Sequence, residues 1–253
     1  MNIYEILFSP TGGTQKVADI FAAAFHQEVE VVDLTDSSYD FSAVSIEEDD
    51  VCIIAAPSYA GRVPALAARR LSLIRGNHAR AVLIAVYGNR EFEDTLTELK
   101  DLSEASGFLT VAGVSAVAEH SLIHRFGAGR PDSRDLSELN GFAEKVAKEI
   151  HSGKRSAVTV PGNRPYKDAH PSSIVPLADD SCTGCRLCAW NCPAEAIPED
   201  HPEQTNASLC ISCMRCVTIC PHHARKLPDE QLHALEQKLE PLCSERKANA
   251  LYL

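Results

Sequence analysis

The sequence predicts an α/β protein: a doubly wound parallel sheet followed by a small cysteine-rich domain. Three observations predict it. Five strand-like segments alternate with helical periods over residues 1–152. Loops rich in glycine and hydroxyl residues follow the first and third segments, and a loop with glycine and asparagine follows the fourth. Eight of the ten cysteines lie between Cys182 and Cys220.

Residues 3–8 read as a strand, and residues 14–26 as a helix with Val17, Ile20, Phe21, Ala24 and Phe25 on one face. Residues 29–33 are a second strand. Residues 51–56 ("VCIIAA") are a third, apolar on both faces as a central parallel strand is. A helix over 65–74, a strand over 80–87, a helix over 91–105, a strand over 108–118 and a helix over 133–151 complete the alternation. Sheets of this kind have two common strand orders, and their ligands sit beyond the carboxyl ends of the strands.

Periodicity then stops. Residues 153–179 are rich in Pro, Gly, Ser and Asn and read as a strap or linker. A cysteine domain spans 180–228. Over 229–253, Leu232, Leu235, Leu239 and Leu242 predict a helix that caps the small domain's core, with Pro241 limiting its length.

A net charge of −11 argues against nucleic acid as a partner. The apolar runs are far shorter than a membrane span, and no leader is evident before the first strand. The expectation is a cytoplasmic protein, where clustered cysteines point to metal rather than to disulfides.

Both "CTGCRLCAWNCP" (182–193) and "CISCMRCVTICP" (210–221) are C-x2-C-x2-C-x3-C-P. This is the bacterial two-cluster ferredoxin spacing, in which the fourth cysteine of each run ligates the other cluster. Cys182, Cys185, Cys188 and Cys220 are expected to hold one [4Fe–4S] cluster, and Cys210, Cys213, Cys216 and Cys192 the other. Zinc sites typically present pairs of C-x2-C instead. Leu187, Ile197, Leu209, Ile211, Val217 and Ile219 are expected to pack around the clusters, and Trp190 to pack as well.

The loop "SPTGGT" (9–14) has neither the lysine of a Walker motif nor a third glycine. Its hydroxyls and paired glycines before a helix suit a phosphomonoester held by neutral donors.

This loop resembles the phosphate loop of the flavodoxins. That resemblance implies a five-stranded sheet of order 2-1-3-4-5 with FMN bound through Ser9, Thr11, Gly12, Gly13 and Thr14. It implies ring contacts from "PSYAG" (Pro57, Ser58, Tyr59, Ala60, Gly61) and from Tyr87, Gly88, Asn89, Arg90 and Phe92. Phe92 departs from the tyrosine frequent in that family, and Arg90 brings a cation close to the ring. Together with "AEHS" (118–121), "GRPD" (129–132), "PGNRPY" (161–166) and the cysteine runs, the chain resembles the flavodoxin–ferredoxin fusion proteins of the EFR type.

That resemblance implies electron transfer between FMN and two [4Fe–4S] clusters, and onward to protein redox partners. A flavin-dependent reductase drawing on NAD(P)H, or reducing a quinone or other small substrate, is the competing expectation, and a redox sensor a third. A head-to-tail homodimer is compatible with each. Arg62 is read as a contact to flavin or strap, His120 and His124 as hydrogen-bonding loop residues, Cys52 as core and Cys243 as incidental. His222 and His223 are not read as a metal site, and "EEDD" (47–50) is read as a solvated loop.

Overall fold

Strand residues alternate between two apolar faces, and that alternation decides the architecture. The computed structural model describes residues 1–169 and 174–253. It contains β1 (Ile3–Leu7), β2 (Val29–Asp33), β3 (Val51–Pro57), β4 (Arg80–Tyr87) and β5 (Leu109–Val117). All five are parallel, in the order β2-β1-β3-β4-β5. This is the flavodoxin-like order, whose switch point lies between β1 and β3. The connecting helices are α1 (Gly13–Ala23), α2 (Ala65–Leu71), α3 (Thr95–Ala105) and α4 (Ser133–His151). On one face Ile3, Leu7, Ile53 and Ile84 pack with Val17, Phe21, Leu139 and Val146 of α1 and α4. On the other, Ile6, Phe8, Ile54 and Leu83 pack with Ala67, Leu71, Leu96 and Leu99 of α2 and α3.

Helix ends follow local chemistry. Helix α3 begins at Thr95 and not at 91, because Asn89 (φ 63°) and Glu93 (φ 44°) are left-handed and interrupt any earlier helix. Helix α4 starts where Asp132 accepts the amides of Arg134 and Asp135 at 3.0 and 3.1 Å, and Asp135 accepts that of Asp132 at 3.1 Å. Asp50 of "EEDD" is buried, accepting Asn2 N at 2.7 Å and Glu47 N at 3.0 Å, so that run is not wholly solvated. Cys52 lies in the core.

The strap runs over α3. Thr97 Oγ1 donates to Pro161 O at 2.7 Å, and Asp94 accepts Asn163 N at 2.8 Å and Lys167 N at 2.7 Å. Gly162 (φ 138°) lies so close to Thr97 that a Cβ would stand 2.5 Å from its hydroxyl. Arg62 forms a two-pronged ion pair with Glu98, donates to Lys167 O at 2.6 Å and stacks over Tyr166. Its contact is therefore to the strap. Residues 170–173 of the strap lie outside the described residues.

The small domain is built from β6 (Leu177–Ala178), α5 (Leu187–Trp190), α6 (Arg215–Thr218) and β7 (Arg225–Lys226), with β6 and β7 antiparallel. Both helices begin after a left-handed residue, Arg186 (φ 64°) and Met214 (φ 63°), so the two cysteine runs fold alike. This domain sits on the α2/α3 side, where Ile211 packs against the core. There Arg70 donates to Leu34 O at 2.7 Å and to Pro193 O at 2.8 Å.

The C-terminal residues correct the sequence reading. Helix α7 (Asp229–Cys243) does not cap the small domain. Leu239 and Cys243 pack on Ile123 and Phe126 of the large domain, and Arg125 pairs with Glu236 and Glu240. Cys243 thus has a packing role. Pro241 lies inside the helix's last turn and does not end it. Beyond it, β8 (Ala250–Tyr252) pairs antiparallel with β5 as a sixth strand. Asn249, buried just before β8, accepts Val117 N at 2.8 Å and donates to Asp135 at 3.0 Å and Glu138 at 2.7 Å. Asn249→Ala leaves the buried Val117 amide unpaired and is expected to cost roughly 1–3 kcal/mol, measured by chemical denaturation.

Candidate functional site

The loop after β1 turns on Gly12 (φ 85°), which precedes α1 without any side-chain cap. Gly13 passes the end of β5, where a Cβ would stand 3.3 Å from the Ala118 Cβ. The first-turn amides of Gly13 and Thr14 have no intrahelical acceptor, while Gln15 N donates to Ser9 Oγ at 2.9 Å. Thr14 is buried, and Ser9 and Thr11 are half-buried. Free amides, hydroxyls and a helix start suit an oxyanion.

One charge nearby opposes it. Glu5, buried in β1, accepts Gln15 Nε2 at 2.8 Å. Burial first, then the Asp19 carboxylate, push its pKa from 4.5 up to about 7.

Loop 57–62 follows β3. Ser58 N donates to Val86 O at 2.7 Å, and Tyr59 and Arg62 exchange backbone hydrogen bonds across Ala60 (φ 54°) and Gly61 (φ 86°). Positive φ at both central residues makes this a type I′ turn. Gly61 is packed against Glu93, which leaves no room for a side chain. Burial first, then the nearby Cys213 thiol, hold the Tyr59 phenol protonated well above its ordinary range. Tyr59 is half-buried.

Loop 87–93 departs from the sequence reading. The Asn89 side chain is not free for a ligand: it is buried, donates to Cys243 O at 2.7 Å and Glu245 O at 2.9 Å, and accepts from Lys247 N and Arg130 at 3.1 Å. Tyr87 is buried likewise and donates to Ala248 O at 2.9 Å. Arg90 is no isolated cation, because Glu93 pairs with it at 2.8 Å. Phe92 is half-buried beside Tyr87, with ring centroids 5.4 Å apart. Gly88 is forced by His120, whose ring would lie 2.6 Å from a Cβ there. His120 Nδ1 accepts the amides of Leu122 and Ile123 at 3.2 Å, and burial, then His124 and Arg90, lower its pKa to about 4.

The cysteines surround two cavities. One is lined by Cys182, Cys185, Cys188 and Cys220. The other is lined by Cys192, Cys210, Cys213 and Cys216. Each cavity therefore takes three thiols from one run and the fourth from the other. Among the described residues no three His, Cys, Asp or Glu side chains gather tightly enough for a single ion.

Amide donors point at the sulfurs. Ala196 N donates to Cys192 Sγ at 3.3 Å. Burial opposes ionisation of Cys220, but the amides of Ala224, His222 and Arg225 outweigh it and lower its pKa. Burial pushes Cys213 up to about 11 and Cys216 up to about 12, so as bare thiols they stay protonated at neutral pH. Loading with metal must release those protons. Leu187 lines the first cavity, and Ile197 and Ile211 the second. Val217 and Ile219 are half-buried, whereas Leu209 is exposed and shields neither cavity. Trp190 does not pack either: it is 59% exposed and donates to Glu199 at 3.1 Å. His222 and His223 are exposed.

Residues 181–225 match the 4Fe-4S dicluster domain family. The chain thus joins a flavodoxin-like sheet domain to a C-terminal 4Fe-4S dicluster domain. It is similar to NADH-quinone oxidoreductase subunit I 2 of Streptomyces coelicolor, 27% identical over 112 residues, covering 34% of this chain and 55% of that protein. It therefore spans about half the length of that curated relative. Among solved structures, a flavodoxin of Streptococcus pneumoniae TIGR4 aligns at 19% identity and TM-score 0.41, over 60% of this chain and 99% of its own. Flavodoxin 1 of Bacillus cereus aligns at 18% identity and TM-score 0.42, over 58% and 98%. No helix among the described residues is long and apolar enough to cross a membrane.

Glu5 gives the site a pH signature. The folded chain keeps this proton while the unfolded chain loses it from pH 4.5 upward, so stability is full below 4.5 and falls as pH rises to about 7. Glu5→Gln is expected to raise stability by about 2 kcal/mol above pH ~8. Denaturation midpoints across pH check this.

Proposed function

We propose that this chain is an electron-transfer protein that binds FMN on the large domain and two [4Fe–4S] clusters on the small one. The observation that carries this reading is the pair of cavities, each ringed by four thiols in the crossed set of two-cluster ferredoxins. The flavodoxin-like sheet adds a phosphate-type loop at its switch point.

When bound, FMN exchanges one or two electrons and each cluster one, so the chain joins two-electron to one-electron chemistry. The protein's own residues set the conditions. Ser9, Thr11 and Thr14 supply neutral donors, Gly12 and Gly13 let the backbone approach, and the first-turn amides of Gly13 and Thr14 have no intrahelical acceptor. In this reading Tyr59 of loop 57–62 is the aromatic contact to the flavin ring. Ile197 and Ile211 exclude water from that cavity, which bears on reduction potential. The first cavity is the more open of the two, because Cys185 is exposed, and it is the side offered to protein redox partners. Clustered thiols of this kind belong in a reducing compartment such as the cytoplasm.

Anaerobically purified protein is expected to release FMN on acid extraction and to contain iron and sulfide for two clusters. Flavin-free protein overturns the first half of the reading, and protein without iron the second. Rapid NAD(P)H oxidation with no partner protein would favour a reductase instead.

Thr14→Ala is expected to weaken flavin binding about tenfold, the loss of roughly 1.4 kcal/mol, with the iron content unchanged. Fluorescence titration of the deflavinated protein measures this.

The crossed ligand set has its own test. Cys182→Ala with Cys220→Ala is expected to leave one cluster, because both residues line one cavity. Cys210→Ala with Cys220→Ala removes a ligand from each cavity and is expected to leave none. Iron counts distinguish the two variants.

A further inference from the structure

Two buried guanidinium nitrogens have no partner in the arrangement described so far. Among the described residues, four buried side-chain nitrogen or oxygen atoms lack a hydrogen-bond partner, and two of these are the Nε atoms of Arg215 and Arg225. Arg225 lines the cavity of Cys182, Cys185, Cys188 and Cys220, and Arg215 lines the other.

Arg225 is the more telling. It is 2% exposed and is among the largest fully buried side chains. Its acceptors are all neutral oxygens: Thr205 Oγ1 at 2.6 Å, Pro176 O at 3.4 Å, Gln204 O at 3.1 Å and Pro202 O. They fix the guanidinium plane but do not balance its charge. A guanidinium does not deprotonate in proteins, so the charge is permanent. An unbalanced buried cation is costly, and so is a buried N–H without an acceptor. An anionic occupant of the adjoining cavity relieves both. A thiolate-ligated iron–sulfur cluster is such an anion, and its sulfurs are acceptors.

We infer that Arg225 is a tuning residue for the cluster held by Cys182, Cys185, Cys188 and Cys220, donating its Nε–H to a cluster sulfur and raising that cluster's reduction potential. The inference rests on the cluster reading above. Reduction adds one electron from the external reductant, with no bond made or broken. The added negative charge accumulates beside a fixed cation, which favours the reduced form. Charge and hydrogen bonds to sulfur are two of the levers that set such potentials. Arg215 is an internal comparison. It is half-buried and close enough to Asp36 for that carboxylate to feel its charge.

The test is an EPR-monitored titration of the holoprotein with dithionite. In Arg225→Gln both midpoint potentials are expected to fall, with iron and sulfide unchanged. The larger fall is expected for the cluster of Cys182, Cys185, Cys188 and Cys220, because Arg225 lines that cavity and its charge also reaches Cys210 and Cys216. Arg225→Lys, which keeps the charge, is expected to retain most of the native potential. Native protein labelled with arginine carrying ¹⁵N at Nε alone is expected to show nitrogen coupling to a reduced cluster by pulsed EPR, and Arg225→Lys to lose it. The backbone amides of Arg215 and Arg225, which donate to Cys213 and Cys220, stay unlabelled. That measurement does not depend on a variant folding. Unchanged potentials in an iron-replete Arg225→Gln protein, or no nitrogen coupling in iron-replete native protein, overturn the inference alone. Native protein without iron and sulfide overturns the cluster reading and this inference with it.

Discussion

The small domain has almost no apolar core, and much else follows from that. Its buried cluster comprises Cys188, Ala189 and Ile197, with Cys192 and Cys216 against it. So little burial does not offset the chain entropy of a domain this size, and such domains need a staple. Here the thiols gather around two cavities and exchange a cysteine between runs. The same constraint explains the left-handed Arg186 and Met214, which turn each run about its cavity, and the convergence of amides on Cys220. In a site like this, metal affinity is also folding free energy.

The large domain carries the opposite balance, with two apolar layers flanking a parallel sheet. It also holds the rest of the chain in place. Arg70 bridges to Pro193 beside the second cavity, and Asp94 binds the strap through backbone amides. The C-terminal residues return to lay β8 against β5, and Asn89 and Asn249 satisfy backbone groups there. A loop that resembles a flavin loop is therefore also the anchor for the chain's end. Substitutions at Asn89 are expected to loosen that anchor.

Interior charges differ in how they are balanced. Arg130 and Asp135 form a buried pair in which burial opposes ionisation, yet hydrogen bonds from Arg130, Asp132 and Asn249 keep Asp135 ionised far below the usual carboxylate range. Glu93 is shared between Arg90 and Lys167, which joins the strap to the third loop. Glu5 lacks a cation and is pushed towards the neutral form. Arg225 lacks an anion and cannot become neutral. That asymmetry is why the second observation points to a bound group and the first does not.

The sequence by itself determined the strands, their order once the flavodoxin-like loop was recognised, and the two cysteine sets. Each is carried by local signals: periodicity of apolar residues, turn residues and fixed ligand spacing. It misplaced what depends on distant contacts. The leucines of α7 announce a helix but not its partner, which lies more than a hundred residues earlier at Ile123 and Phe126. A three-residue strand such as β8 has no periodicity to read. Asn89 matches a flavin-loop pattern, yet its hydrogen bonds run to residues 243–247. Trp190 and Leu209 look like core residues by composition and are exposed, because the cavities occupy the space where a core would form. Only the tertiary structure decided that β8 closes the sheet and that the buried Arg225 guanidinium borders a cavity, since both arise from residues brought together across long sequence separations.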